Sequence, residues 1–126
     1  MYEPKYLGKH SSKPCLVLDK IPWEGGKILV SLDCIEFTSR CPVTEQPDFG
    51  VLTIEYIPRE VIAETKSAKL YLMGFREEKG FNEQLVDRIA TEWFEQLKPQ
   101  WIRIAGTFNR RGGIAVTVSA ERGDRS

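Results

Sequence analysis

A chain of 126 residues carrying 18 basic and 18 acidic side chains has room for one sizeable core but not for two. The cancelled charge gives no general pull toward nucleic acid or an anionic membrane, and no apolar run approaches the roughly 20 residues that span a bilayer. The three cysteines, Cys15, Cys34 and Cys41, are odd in number and form no C-x-x-C pair, which fits reduced thiols better than a disulfide framework. The opening "MYEPKYLGKH" has no apolar h-region, so the expectation is a soluble, cytoplasmic protein. A zinc site needs three or four convergent N or S ligands; His10 is the only histidine, and no metal is expected.

Residues 1–26, rich in Lys, Ser, Pro and Gly, read as an N-terminal arm with little regular structure of its own. "KILVSLDCIEFTS" is the first strand candidate. "GVLTIEYIP" alternates Val51, Thr53 and Glu55 with Leu52, Ile54 and Tyr56, as a half-buried strand does. The two are joined by a loop from Cys41 to Phe49. "TKSAKLYLMGFR" is ambiguous by periodicity, although its Lys, Ala, Leu and Met content leans toward helix. Phe81, Leu85, Ile89, Trp93 and Leu97 then recur at helical spacing, with Val86, Ala90 and Phe94 widening the stripe, and Lys98 and Pro99 close the helix. "WIRIAGTF" and "GIAVTVSA" read as strands around "NRRGG", whose glycines accept positive φ. The tail 121–126 is expected to fray. The order is strand, strand, helix, helix, strand, strand: one α+β domain over 1–126. Its four-stranded antiparallel sheet, with both helices on one face, leaves two unpaired edges, which closed rings of subunits remove.

"FTSRCPVTEQPDFG" places Cys41 at a strand end, before the stiffening Pro42 and seven residues ahead of Asp48. An ordinary thiol is only a few per cent thiolate at neutral pH, so a nucleophilic cysteine needs a group to take its proton. Asp48 can do so if the loop folds back, the pair sharing one proton because both cannot be anionic at low cost. The competing readings are a buried apolar cysteine and an Asx-turn at Asp48; Cys15 and Cys34 keep the buried reading.

The stretches "FTSRCPVTEQPDF", "ETKSAKLYL" and "RRGGI", in that order between Phe37 and Ile114, resemble the unimodular QueF family, the NADPH-dependent 7-cyano-7-deazaguanine reductases of queuosine biosynthesis. The resemblance implies the tunnelling fold (T-fold) in ββααββ order, which makes the ambiguous segment a helix. It also implies a homo-oligomeric ring, usually a decamer of two stacked pentamers, with active sites between subunits. Cys41 would attack the nitrile carbon to form a covalent thioimide, with Asp48 as general acid and base. Glu83 would accept hydrogen bonds from the deazaguanine, a task suited to two carboxylate oxygens, and Phe81 would lie against the planar base.

Glu64, Lys66, Ser67, Lys69 and Tyr71 form the family's NADPH signature, with Arg111 in the following turn as a further phosphate contact. No G-x-G-x-x-G offers another dinucleotide site. Where the family usually has Phe-His-Glu, this chain has Phe81-Asn82-Glu83, and Asn82 cannot exchange a proton near neutrality. Two other readings stay open. A QueF-like amidinotransferase acting on modified tRNA would share Cys41 and Asp48 but not need the Glu64–Tyr71 signature. A T-fold ring that only binds a deazapurine is the other. Neither direct nucleic-acid nor membrane binding is expected of the reductase.

Overall fold

Leu52, Ile54 and Tyr56 are almost fully buried while Val51 between strand neighbours is exposed, the alternation expected of a strand with one face on a core. The computed structural model describes residues 16–126. In chain order its elements are β1 (Lys20–Pro22), β2 (Val30–Arg40), β3 (Pro47–Ile57), β4 (Val61–Ala63), α1 (Thr65–Met73), α2 (Asn82–Leu97), β5 (Trp101–Arg111) and β6 (Ile114–Gly123). The main sheet is antiparallel in the order β2-β3-β5-β6, and β1 pairs with β4 in a second, two-stranded sheet. The molecule is therefore α+β with two helices. "TKSAKLYLM" is helical, and the "RRGG" turn places Gly112 and Gly113 at φ of 57° and 82°, where a side chain is strained.

One core joins sheet and helices. Leu85, Val86, Ile89, Ala90, Trp93 and Leu97 of α2 pack with Leu52, Ile54, Ile102 and Ile104 of the sheet and Tyr71 of α1. Each large apolar side chain buried this way stabilises the fold by about 1.5–3 kcal/mol. Trp93 meets Tyr71 edge-on, with ring centroids 5.9 Å apart. Phe81 departs from the expected stripe: it caps α2 instead of filling the core and is 53% exposed.

The hairpin of β2 and β3 contains an irregularity that no pattern in the sequence announces. Cys34 faces Leu52 and Phe37 faces Gly50, so two residues of β2, Ile35 and Glu36, oppose the single Val51. Such a bulge changes the parity of the strand. Before it the even residues Leu32 and Cys34 pack toward the core; after it the odd residues Phe37 and Ser39 do.

Three expectations need correction. The arm over 1–26 is structured in its described part: Leu18 and Asp19 are buried, and β1 pairs residue for residue with β4. Gln96 of α2 accepts from Leu18 N–H at 2.7 Å and donates to Leu16 O at 2.9 Å. A three-residue strand is too short for its period to stand out against Lys, Pro and Gly. The tail over 121–126 does not fray. β6 continues to Gly123, and the Gln100 amide donates to the carbonyls of Asp124, Arg125 and Ser126 at 3.1–3.3 Å. The Cys41–Phe49 loop is shorter than expected, because β3 begins at Pro47 and includes Asp48.

Since Gln96 satisfies both a backbone donor and a backbone acceptor, Gln96→Ala leaves two partly buried groups unpaired. A loss of about 1–3 kcal/mol in denaturant unfolding is expected, with faster amide exchange at residues 18–22 than in α2.

Candidate active site at the end of the β2–β3 hairpin

β2 ends at Arg40, and its last residue is held from both sides. Arg40 pairs with Pro47 across the hairpin. On its outer side, Arg40 N–H donates to Glu78 O at 2.9 Å, and Gly80 N–H donates to Arg40 O at 3.2 Å. These two bonds lay the α1–α2 connection alongside the strand, so the head of α2 starts beside the loop that carries Cys41. A Cβ at Gly80 would stand 2.9 Å from Leu85 Cδ2, so glycine lets the first turn of α2 close over this bridge. Side-chain ion pairs, Arg40 with Glu77 and Lys79 with Glu45, tie the same two segments at the surface.

The loop itself is a tight turn. Cys41 N–H donates to Gln46 O at 3.0 Å and Glu45 N–H to Cys41 O at 2.9 Å, with Glu45 in the left-handed region at φ 61°. Arg40 Nη1 bonds Glu45 O at 2.9 Å. Curling the chain this way aims donors at the sulfur. The Thr44 N–H and then the Thr44 hydroxyl, with the Val43 N–H, bond Cys41 Sγ and hold its thiol below the ordinary cysteine pKa, while burial and the negative charge of Asp48 oppose them. Donors that prefer the charged form lower a pKa and a like charge raises it. Cys34 behaves oppositely: burial pushes its thiol up.

Asp48 is the register partner of Ser39 and shares a face with Phe37 and Ser39, the face that period two continues to Cys41. The structure therefore brings Cys41 and Asp48 to one strand end, as the sequence suggests, through hairpin register rather than by a long loop folding back. Beside them, Phe81, Asn82 and Glu83 form the cap and first turn of α2. Phe81 and Glu83 are exposed, and Asn82 Oδ1 is buried without a hydrogen-bond partner among the described residues.

The Glu64–Tyr71 segment divides into two kinds of residue. Glu64 caps α1, its carboxylate accepting from Lys66 N–H and Ser67 N–H. Ser67 Oγ donates to Glu64 O at 2.8 Å and accepts from Asp19 N–H at 2.9 Å. Tyr71 is fully buried and donates to Glu92; burial and that bond push its phenol far up, so it stays protonated. Glu64, Ser67 and Tyr71 thus make capping and packing contacts within the chain. Lys66 is partly buried and Lys69 exposed. Lys69 lies on a largely apolar groove of about 350 Å³ between α1 and β2, lined also by Cys34, Phe37, Leu72, Met73 and Arg76. Arg111 lies at the end of β5, where it pairs with Ile114 of β6. His10 and Cys15 fall outside the described residues.

Residues 47–126 match the family model described as QueF-like protein. The chain belongs to this family. Similar relatives are NADPH-dependent 7-cyano-7-deazaguanine reductases. That of Anaeromyxobacter sp. (strain Fw109-5) is 44% identical over 96 residues, 76% of this chain and 79% of its own length. That of Helicobacter pylori (strain G27) is 46% identical over 88 residues, 70% of this chain and 60% of its own. Among solved structures, the archaeosine synthase QueF-Like in the apo form has a TM-score of 0.71, covering 78% of this chain and 96% of that one at 23% identity, a likeness of fold alone. No helix among the described residues is long and apolar enough to cross a membrane, and no cluster of His, Cys, Asp and Glu there is arranged to hold a metal.

Sequence reasoning missed the sulfur's donors and the Arg40 bridge. Thr44, a small hydroxyl residue three after the cysteine, is the one signal for the former. Because alkylation follows the thiolate fraction, Cys41 should react with iodoacetamide with a pH midpoint below that of an ordinary thiol and well below that of Cys34. Thr44→Val should move the Cys41 midpoint upward, and peptide-resolved mass spectrometry across pH reads both.

Proposed function

We propose that this chain is a unimodular QueF reductase. It reduces the nitrile of 7-cyano-7-deazaguanine to 7-aminomethyl-7-deazaguanine through a cysteine thioimide, as a cytoplasmic T-fold homo-oligomer in queuosine biosynthesis. The observation that carries this reading is the pair at the strand end: a thiol whose anion is stabilised by Thr44 and Val43, with a carboxylate on the facing strand. As sulfur adds to the nitrile carbon, Asp48 takes the thiol proton and passes it to nitrogen. The C≡N triple bond becomes C=N–H, with no net change in protonation of the protein. Thr44 and Val43 favour the attacking thiolate and also serve as its leaving partners when the C–S bond breaks.

Glu83, exposed at the head of α2, is free to offer its two oxygens to adjacent N–H donors of the base, and Phe81 presents a ring next to it. Asn82 Oδ1 is an acceptor suited to an N–H of the substrate. The groove between α1 and β2 fits a dinucleotide in chemistry, with an apolar wall and the ammonium of Lys69 for phosphate, supported by Lys66 nearer the helix start. Arg111 is assigned a further phosphate contact. When bound there, NADPH supplies a hydride, and two such donations take nitrile to amine. Glu64, Ser67 and Tyr71 act indirectly, by fixing the helix that presents the lysines. In a ring of subunits, expected to be a decamer of two pentamers, a neighbouring copy covers the exposed side of this site.

Mixing the protein with 7-cyano-7-deazaguanine in the absence of NADPH should leave a mass adduct on the intact chain. Cys41→Ala should abolish the adduct and Cys34→Ala should not; an adduct that persists without Cys41 ends the mechanism. Asp48→Asn should slow adduct formation by about 10²–10⁴. Lys69→Ala should spare the adduct yet raise the NADPH concentration for half-maximal rate about tenfold or more, from the loss of one charged phosphate contact. Nicotinamide absorbance measures that rate.

A further inference from the structure

Ser39 is completely buried, and its hydroxyl has no hydrogen-bond partner among the described residues. A buried polar group left unpaired costs free energy and calls for a reason. Position supplies one. The bulge between Cys34 and Phe37 turns Ser39 onto the helix-covered face, and the hairpin register sets it directly opposite Asp48. Facing pairs on one side of an antiparallel ladder have Cβ atoms about 4.5–5.5 Å apart, so a rotation of either side chain brings hydroxyl and carboxyl together. Period two then puts Cys41 next along the same face. Phe37, whose ring meets Phe75 at 5.8 Å and Phe108 at 6.3 Å, closes the other side against water.

We propose that Ser39 is the positioning residue for Asp48, its hydroxyl taking the carboxyl as partner while the proton passes from thiol to nitrogen. The inference rests on the proposed reduction for the reaction it serves. A hydroxyl fits this place better than any fixed donor or acceptor, because it donates to the carboxylate and accepts from the carboxylic acid by turning its O–H. Asp48 passes through both forms in each addition. An alanine would follow neither, and an amide or ammonium would favour one form over the other.

The test is Ser39→Ala beside Ser39→Thr. Because Ala deletes a buried hydroxyl without a partner, Ser39→Ala should melt no lower than the unsubstituted protein. Its adduct with 7-cyano-7-deazaguanine should nonetheless form about three- to tenfold more slowly, the range of one neutral hydrogen bond. Ser39→Thr, which keeps the hydroxyl, should recover most of that rate. Slowing accompanied by a lower melting temperature and no recovery in Ser39→Thr, or no slowing at all, overturns the proposal.

If the unsubstituted protein forms the adduct and Ser39→Ala forms it equally fast, the Ser39 proposal fails while the reductase reading stands. If the unsubstituted protein forms no adduct, the reductase reading fails and takes with it the proton transfer that Ser39 is proposed to serve.

Discussion

The two backbone hydrogen bonds between Arg40 and the Glu78–Gly80 segment are the constraint on which the site depends. Without them the β2–β3 hairpin and the approach to α2 would meet only through the core and two surface ion pairs, with no backbone bond to fix a helix head relative to a strand end. With them, one residue of β2 is bonded to Pro47's strand on one side and to the approach of α2 on the other. Cys41, Asp48 and the Phe81–Glu83 turn then follow within a few residues of a rigid point. Rigid scaffolds that carry short functional loops are the usual solution where reacting groups must be placed to within a fraction of an ångström.

Electrostatics at that point work in tension. The donors on Cys41 favour thiolate, and Asp48 opposes it. In the proposed mechanism the two effects serve different moments: the donors favour sulfur as the attacking anion, and the carboxylate is the group that takes its proton and returns it to nitrogen. The surface ion pairs around the loop, Arg40 with Glu77 and Lys79 with Glu45, contribute little to stability by themselves.

The long helix and the alternating strand were legible because each follows a single period, α2 by its stripe and β3 by its alternation, whereas α1 was ambiguous by period and read as a helix only through the family resemblance. Cys41 and Asp48 were legible as chemistry, since a thiol before proline at a strand end invites the question of what takes its proton. Three features were hidden for physical reasons. The bulge at Ile35–Glu36 leaves no compositional mark, although it decides which face Ser39 takes. β1 is held by tertiary bonds to Gln96 and Ser67, which are 78 and 48 residues away from the backbone groups they bind. Phe81 reads as core because its spacing continues the stripe, yet the stripe ends where the helix does, and a residue one position before the first turn points elsewhere.

Under the proposed function, the Glu64–Tyr71 segment serves its cofactor without all its members touching it. Glu64 and Ser67 fasten the start of α1 to its own first turn and to Asp19, and Tyr71 fastens its second half to α2 through Glu92 and Trp93. A nine-residue helix is too short to be stable alone in water, so these anchors are what make it a helix at all. Once anchored, it holds the backbone beneath Lys66 and Lys69 in one conformation. Placing two flexible ammonium groups on a fixed backbone lowers the ordering cost that any phosphate contact must overcome. On this view the buried members of the motif set the affinity of the exposed ones that carry the proposed cofactor contacts.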